Sequence, residues 1–355
     1  MSEQASSSEK PQRRLIVRAV LRTDTGLVRS ENQDFGTYTT PAEEHVSHPG
    51  GRLLIVADGM GGHRGGATAS RLAAETVKAQ YLGSETADIP TALRDSLLRA
   101  NARIYSEAQT TPELRGMGTT TSVLAVRNGE GWLAHVGDSR IYRIREDRIE
   151  QLTDDHSLVA TMVREGLLTA AEAETHPRRN VLQRSMGVQE EVEIDVKGPF
   201  ELQEGDTFIL CSDGLHGVVK EEEMREVARM PIDAAADEFL RRALSRGAPD
   251  NVTVIVARVE VFDGNEPDPD RIDDTVKLEA IDLFDETVKD ESLKTTQPMR
   301  AVTDEEIGVP RSPAAPPKSP ILKWTLVVVI ALGAAGAWYY WNHQATFTAS
   351  TPSSR

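Results

Sequence analysis

Cysteine is almost absent from this chain of 355 residues, in which Cys211 stands alone. An intrachain disulfide is therefore excluded, and a reducing compartment is the natural location. The sequence also lacks a cluster of Cys and His at the spacing of zinc ligands, which argues against a zinc site. Cys211 ends the apolar run 207–211, a setting typical of a buried small side chain rather than a nucleophile.

An excess of basic residues is missing as well, because 40 Lys and Arg stand against 56 Asp and Glu, for a net charge of −16. This balance argues against nonspecific nucleic-acid binding, which needs a basic surface. Residues 1–14 have no apolar core, so we expect a disordered N-terminus and not a signal peptide. The charge is unevenly distributed, since residues 263–306 hold 15 acids and 5 bases whereas residues 307–355 hold 4 bases and no acids.

Residues 263–320 lack the apolar content that a folded domain needs and predict a disordered linker, acidic at first and then rich in proline. Within it, Asp-Asp-Thr-Val-Lys at 273–277 is echoed by Asp-Glu-Thr-Val-Lys at 285–289. One interpretation is that a partner kinase phosphorylates Thr275 and Thr287, and that a phosphothreonine-binding (forkhead-associated) module docks there. The alternative is an acidic linker whose two segments are alike by chance.

Residues 324–341 hold no charge and have tryptophan at both ends. As a helix these residues would span about 27 Å, close to the thickness of the hydrocarbon core of a bilayer, and flanking aromatic residues are typical of membrane interfaces. A buried core helix is the alternative. We expect a transmembrane helix over 321–341, in contact with membrane lipid, and a short extracytoplasmic tail over 342–355. Three basic residues between 311 and 323 predict a single-pass protein of the cell (inner) membrane whose N-terminal domain is cytoplasmic.

Residues 15–262 contain short β-branched runs and segments of helical periodicity, which together are typical of a globular domain. Strands arrive in clusters and helices in pairs, without strict βαβ alternation, so we predict an α+β sandwich with antiparallel sheets. The predicted strands include 53–56, 119–126, 132–136, 141–144, 208–210 and 252–256, and the predicted helices are 67–81, 92–108, 221–228 and 234–244.

Four aspartates stand at the ends of apolar strands beside small residues, namely Asp58, Asp138, Asp213 and Asp250. Taken singly, a surface turn or a helix cap is the more common explanation of each. A carboxylate at a strand end projects into a cleft, and four acids aimed at one pocket repel each other unless a divalent cation joins them. Ligands that are all oxygen suit the hard cations Mg²⁺ and Mn²⁺.

The short sequence motifs around these aspartates are more specific for a protein family than the positions of the aspartates alone. Six motifs occur in the order Arg22-Thr-Asp-Thr-Gly-Leu-Val-Arg29-Ser-Glu-Asn-Gln-Asp34, Val56-Ala-Asp58-Gly59, Gly118-Thr-Thr120, Gly137-Asp138-Ser-Arg140, Ser212-Asp213-Gly214 and Asp250-Asn251. This order resembles that of the metal-dependent type 2C (PPM) protein phosphatases, over residues from about 15 to 260. The string Asp-Gly-Met-Gly-Gly-His that begins at Asp58 is similar to the bacterial branch of the family.

The resemblance implies an αββα sandwich, two antiparallel β-sheets flanked by helices, with two or three Mn²⁺ or Mg²⁺ ions at one end. It also implies a Ser/Thr phosphoprotein phosphatase, in which a metal-activated water hydrolyses phosphoserine and phosphothreonine. By position, Asp58 is expected to bridge two ions, with the carbonyl of Gly59 on the second. Asp213 and Asp250 complete the first site, and Asp138 holds a third ion together with Asp213.

Two further residues carry roles implied by the resemblance. Arg29 matches the arginine that grips the substrate phosphate, a task that suits a guanidinium fork, and Asp34 is expected to act on a metal through water. Gln33 departs from the Glu of many members, which leaves the second ion with fewer protein ligands and more water. Met60 stands where eukaryotic relatives have a His proposed as general acid, and nearby His63 has no assigned role.

Residues 154–187 match by position the flap beside the family's active site, although a purely structural helix pair fits their pattern equally well. The implied partners are Ser/Thr-phosphorylated proteins, in particular receptor-type Ser/Thr kinases and their substrates; a phosphatase acting on anti-sigma-factor antagonists stays open. A catalytically silent phosphoprotein-binding scaffold on the same fold is the alternative, and the intact acids and Arg29 count against it. A nucleotide loop at 59–66 is disfavoured because the Gly-Lys-Ser/Thr ending of a P-loop is missing.

Overall fold

The computed structural model describes residues 14–39, 51–61 and 65–262. The predictions for the N-terminus, for His63, and for the linker with its two threonines, the transmembrane helix and the tail lie outside these ranges. No helix within them is long and apolar enough to cross a membrane.

Eleven strands and seven α-helices make up the described part of the chain. The strands are β1 (Arg14–Asp24), β2 (Asp34–Tyr38), β3 (Gly51–Met60), β4 (Gly118–Thr119), β5 (Thr121–Arg127), β6 (Glu130–Val136), β7 (Arg140–Arg145), β8 (Arg148–Gln151), β9 (Asp195–Glu201), β10 (Thr207–Cys211) and β11 (Val252–Phe262). The helices are α1 (Gly65–Leu82), α2 (Ile89–Thr110), α3 (Leu158–Arg164), α4 (Ala170–Thr175), α5 (Asp213–His216), α6 (Glu221–Val227) and α7 (Ile232–Ser245).

The long helices begin and end close to where the sequence pattern places them. Helix α2 starts after Asp88, whose carboxylate accepts the backbone N–H of Thr91 at 3.0 Å. This contact satisfies one of the unpaired donors of the first turn, and proline in that turn has no N–H to satisfy. The predicted helices 67–81 and 92–108 are confirmed, each slightly longer than the apolar periodicity indicated.

The strands form two sheets, in the orders β1-β11-β10-β7-β8 and β2-β3-β5-β6-β9, with β4 paired to β3 outside the second path. Every pairing between these strands is antiparallel. The prediction of two antiparallel sheets is therefore confirmed.

Three apolar layers hold the fold together. Helices α1 and α2 pack on the second sheet, helices α6 and α7 pack on the first, and the third layer lies between the sheets. Strand β5 shows the alternation that this requires, because Val123 and Ala125 face the helices while Leu124 and Val126 face the other sheet. A strand buried on both faces is apolar at every position, which explains the continuous apolar runs of the sequence.

The register of the first sheet brings three of the predicted site residues to one edge. Cys211, the last residue of β10, pairs with Val254 of β11 on one side and with Arg140 of β7 on the other. Asp213 follows β10, while Asp250 and Asp138 precede β11 and β7. Antiparallel pairing therefore collects the three carboxylates at the same end of the sandwich.

Candidate metal centre

A cavity of about 230 Å³ opens at this end of the sandwich. It is lined by Arg29, Gln33, Asp58, Gly59, Met60, Gly61, Thr120, Asp138, Asn180, Leu182, Asp213, Asp250 and Asn251. Six of the seven site residues predicted from the sequence are among them, contributed by both sheets. The exception is Asp34.

Asp34 lies outside the cavity wall, opposite Asp58 in the β2–β3 pairing. Its side chain is buried, and its Oδ2 accepts a hydrogen bond of 2.6 Å from Ser212 Oγ. Burial raises the pKa of Asp34 to about 7, although the hydrogen bond from Ser212 lowers it. Its Oδ1 is buried without a hydrogen-bond partner in the described ranges. The predicted action through water therefore has an available oxygen, which is set back from the cavity.

The carboxylates on the cavity wall oppose each other's ionisation. Burial is the main cause that raises the pKa of Asp213 to about 6 and that of Asp138 to about 7, with Asp250 and Asp213 respectively as the next cause. Burial and then the charge of Asp34 raise the pKa of Asp58 well above its ordinary value. When they are ionised, these buried carboxylates repel each other, and a bound cation would offset that repulsion.

The donors present fit a hard divalent cation. Asp58 and Asp213 line the same cavity, and the charge of Asp213 contributes to the raised pKa of Asp58. Asp213 Oδ1 is buried without a partner among the described residues. Carboxylates that share one pocket are stabilised by a proton or a cation between them. In the same part of the chain, no three Asp, Glu, His or Cys side chains close around one point. The ions would therefore keep several waters, as Mg²⁺ usually does.

The backbone around Asp58 is held by two threonines at the junction of β4 and β5. The N–H of Asp58 donates to Thr120 Oγ1 at 2.9 Å, and its carbonyl accepts from Thr119 Oγ1 at 2.9 Å. At Gly59, a Cβ atom would lie 2.1 Å from the carbonyl oxygen of Gly66. Only glycine fits this close approach of two backbone segments, so the Asp-Gly pair is a steric requirement of the site.

Arg29 lies on the loop between β1 and β2 and reaches across the fold to the cavity. Its Nη2 donates to Asp250 Oδ2 at 2.7 Å, and its side chain is 52% exposed. A guanidinium has five N–H donors, so this bond positions the group and leaves donors for a phosphate. The loop approaches β11 closely at Gly26, where φ is +75° and a Cβ atom would lie 2.2 Å from the carbonyl oxygen of Asp250.

Asn251 ties this loop to the site, a role that the short motif Asp250-Asn251 does not reveal. Its Oδ1 accepts the N–H of Gln33 at 2.8 Å. Its Nδ2 donates to the carbonyls of Thr25 at 2.8 Å and Glu31 at 2.9 Å. One buried amide therefore fixes both ends of the segment that carries the phosphate-binding arginine.

Three histidines hold the backbone beside Asp138, and the sequence analysis assigned a role to none of them. His156 Nδ1 accepts the N–H of Gly137 at 3.1 Å, and His135 Nε2 lies 3.0 Å from the carbonyl oxygen of Gly137. His216 Nε2 lies 3.0 Å from the carbonyl oxygen of Asp138. Burial lowers the pKa of His135 to about 4 and that of His216 to about 3. They are neutral near pH 7 and act through fixed hydrogen bonds.

The segment 154–187 contains α3 and α4 and stands beside the cavity. Ser157 and Leu182 form an isolated β-bridge that closes its base. Asn180 and Leu182 line the cavity, which is the position that the resemblance to a flap predicts.

Both departures from the family's pattern, Gln33 and Met60, lie on the cavity wall. The side-chain Nε2 of Gln33 donates to the carbonyl of Gly61 at 3.4 Å. The backbone carbonyl of the same residue accepts the N–H of Gly59 at 3.1 Å. Gln33 therefore braces the glycine-rich backbone, where a glutamate would have added a further negative charge.

Known proteins share these motifs. A family profile described as protein phosphatase 2C matches residues 30–251. The serine/threonine phosphatase stp of Listeria innocua is 38% identical over 245 residues, which cover 67% of this chain and 94% of that protein. The serine/threonine protein phosphatase PstP of Mycobacterium tuberculosis is 35% identical over 257 residues, which cover 72% of this chain and 47% of that protein.

Solved structures share the fold. The crystal structure of M. tuberculosis PstP/Ppp has a TM-score of 0.62 at 36% identity and covers 69% of this chain and 99% of its own. Stp1 from Staphylococcus aureus has a TM-score of 0.64 at 32% identity, over 73% of this chain and all of its own. The catalytic domain of PstP in complex with two manganese ions has a TM-score of 0.60 at 34% identity, over 70% of this chain and all of its own. On these matches and this geometry, the chain belongs to the protein phosphatase 2C family, in its bacterial branch.

Proposed function

We propose that this chain hydrolyses phosphoserine and phosphothreonine in proteins as a metal-dependent Ser/Thr phosphatase. The observation that carries the proposal is the convergence of Asp58, Asp138, Asp213 and Asp250 with Arg29 on one cavity. Carboxylates that hold cations and a guanidinium that holds a phosphate are the groups that phosphoryl transfer requires. The relatives stp and PstP carry serine/threonine phosphatase in their names.

Mn²⁺ or Mg²⁺ would be held by Asp58, Asp213 and Asp250, by the carbonyl of Gly59, and by Asp138 at a further position. When bound, such cations supply positive charge that lowers the pKa of a water molecule and neutralises charge on the phosphoryl group. The buried Asp213 Oδ1 has no other partner in the described ranges. A bound cation would give this buried oxygen a partner, so Asp213 Oδ1 is the best-supported metal ligand of the set.

Arg29 binds the substrate phosphate and orients it. Its bond to Asp250 holds the guanidinium at the cavity while half of the side chain stays exposed. A bidentate contact with two phosphate oxygens would fix the phosphoryl group in one orientation, and positive charge at that point stabilises the negative charge of the transition state.

Asp34 positions a water molecule. Ser212 holds Oδ2 of Asp34 at 2.6 Å, so the carboxylate cannot rotate freely, and Oδ1 is left to accept a hydrogen bond from a water near Asp58. Fixing that water in line with the phosphorus lowers the entropy cost of the reaction.

The substitutions Asp58→Asn and Asp213→Asn test the proposal. Each keeps the shape of the side chain and removes the anion, so we expect hydrolysis of a phosphothreonine peptide in Mn²⁺ to fall by at least about a hundredfold while the fold survives. Asp147→Asn, at an exposed position paired with Arg229, is the matched control and should keep full turnover. Undiminished Mn²⁺-dependent turnover in either site variant would remove the metal assignment. A wild-type chain that binds phosphopeptides without hydrolysing them would favour the silent scaffold.

We also propose that residues 321–341 anchor the protein in the cell membrane with the phosphatase domain in the cytoplasm. The support is the uncharged, aromatic-flanked run in the sequence and the basic residues before it. Fractionation of cells that express the full chain or residues 1–320 tests the anchor. Recovery of both forms in the soluble fraction would refute it.

The proposed partners are receptor-type Ser/Thr kinases and their substrates, with a forkhead-associated module at phosphorylated Thr275 or Thr287. The support is the repeated Asp-Asp/Glu-Thr-Val-Lys sequence. Mass spectrometry of the protein coexpressed with a candidate kinase tests this, and unmodified threonines at both positions would end the proposal.

A further inference from the structure

Two arginines next to the cavity have no side-chain partner among the residues that the structure describes. Asn180 and Leu182 line the cavity, and Arg178 and Arg179 immediately precede them on the exposed tip of the segment 154–187. Neither arginine side chain has an ion pair or hydrogen bond to any described residue. Arg184, later in the same segment, is by contrast bonded to Asp195 at 2.7 Å.

The segment around Arg178 and Arg179 is locally basic, although the chain as a whole is acidic. Residues 176–184 contain three arginines and no acid, in a chain whose net charge is −16. Exposed charges act over about 8 Å at physiological ionic strength, so the local sign decides what approaches the cavity from this side. An acidic side chain of a substrate is the natural counter-charge.

Exposed apolar side chains stand on a second loop at the cavity. Leu27 and Val28 are 66% and 71% exposed, more than any other large apolar residue in the described ranges. They immediately precede Arg29, which lines the cavity and would bind phosphate. Apolar side chains held in water beside a binding site are typical of an interaction surface.

We infer that these two loops recognise the residues that flank the phosphorylated residue of a substrate. Arg178 and Arg179 bind acidic side chains, and Leu27 and Val28 contact an aliphatic one. The substrate class is therefore an acidic phosphothreonine peptide with an adjacent aliphatic residue, an inference that rests on the proposed phosphatase function. This chain's own sequence at 273–277, Asp-Asp-Thr-Val-Lys, has that chemistry, and a synthetic phosphopeptide of that sequence is a suitable probe.

The experiment measures kcat/KM of the full chain in Mn²⁺ on three phosphothreonine peptides. The first has the sequence of residues 270–280, the second has asparagine for both acids before the threonine, and the third has glycine for the valine after it. Two exposed ion pairs predict a preference of roughly tenfold for the first peptide over the second. The Arg178→Glu/Arg179→Glu variant should bring this ratio to about one or below, and the corresponding Lys/Lys variant should retain most of it.

A separate variant tests the apolar contact proposed for Leu27 and Val28. Leu27→Ser/Val28→Ser should remove the preference for the valine peptide over the glycine peptide, roughly threefold to tenfold for a partly buried aliphatic contact, and leave the acid preference intact. Arg99→Glu, a charge reversal at an exposed position of α2, is the matched control and should change neither ratio. Thermal melting of each variant identifies those that fail to fold.

Turnover of p-nitrophenyl phosphate separates the inference from the function on which it rests. A wild-type enzyme that hydrolyses this compound and all three peptides at equal efficiency would overturn the inference and leave the phosphatase standing. Absence of any hydrolysis would overturn both. Unchanged peptide ratios in the variants, together with lost binding to phosphatidylserine vesicles, would assign the two loops to a membrane surface and also overturn it.

Discussion

The amide of Asn251 offers the sharpest test of how the site is assembled. Asn251→Ala removes three hydrogen bonds, to the backbone of Thr25, Glu31 and Gln33, at 2.8, 2.9 and 2.8 Å. Each leaves a partly buried backbone group without its partner, at a cost of about 1 kcal/mol. The total of about 3 kcal/mol falls on the loop, because all three partners lie there. The equilibrium between closed and open loop should therefore shift on the order of a hundredfold towards open.

Hydrogen exchange followed by mass spectrometry measures this shift directly. Peptides that cover residues 25–33 should exchange on the order of a hundredfold faster in Asn251→Ala, and kcat/KM on a phosphopeptide should fall because Arg29 is no longer held at the cavity. Mn²⁺ affinity, measured by calorimetry, should change little.

Asn101→Ala is the matched control. Asn101 is also a buried amide with three hydrogen bonds to backbone, to Gln189, Glu190 and Gly187, but these lie away from the loop. Its variant should lose comparable stability and leave exchange at 25–33 unchanged. Equal exchange at 25–33 in both variants and in the wild type would refute the reasoning.

Three further predictions concern the charges and hydrogen bonds of the site. Arg29→Lys replaces a fork by a point charge and should lower kcat/KM on a phosphopeptide by roughly tenfold to a hundredfold without changing Mn²⁺ affinity; equal loss of both would refute the phosphate role. His156→Ala removes the acceptor of the Gly137 N–H and should weaken Mn²⁺ binding by roughly tenfold, with partial rescue by His156→Gln, as measured by calorimetry; wild-type affinity in both variants would remove this positioning role. Since the pKa values of Asp34 and Asp138 are raised to about 7 by burial, their ionisation opposes folding, so the free energy of unfolding of chelator-treated protein should fall as pH rises through 7, and Mn²⁺ should reverse this fall. The fall should be shallower below pH 6.5, because the unfolded chain then gains a proton on His135, whose folded pKa is about 4, against the two protons that the folded chain holds on Asp34 and Asp138; urea melts from pH 5 to 8 measure the profile, and a flat profile without Mn²⁺ would contradict the assignment.

The sequence alone was sufficient for the parts of the fold that depend on local pattern. Helices α1 and α2 have apolar periodicity over many turns, and the runs at 53–56 and 252–256 are β-branched because both of their faces are buried. The order of the six short motifs likewise identified the family. Five of them contain a glycine, and at each of these an added Cβ atom would lie under 3.0 Å from a neighbouring atom.

Strands β1 and β2 were not predicted, and the reason is physical. In β1 the arginines at 14, 18 and 22 break the apolar sequence into runs of three residues, of which only Ile16 and Val17 are buried. In β2 only Asp34 is buried, and the rest of the strand is intermediate in exposure. Such strands are defined by their partners, β11 and β3, which lie far away in the chain.

Tertiary structure alone decided how the site residues divide their work. The bond from Arg29 to Asp250 joins residues 221 positions apart, and the bond from Ser212 to Asp34 joins residues 178 apart. The amino-acid sequence shows which side chains are present. Their burial and their pairing with residues far away in the chain determine their charge and their freedom to move. The sequence was therefore sufficient to identify the carboxylates and the arginine. The packing of the two sheets placed Asp34 outside the cavity wall, and it positioned Asn251 and the three histidines to hold the backbone around the site.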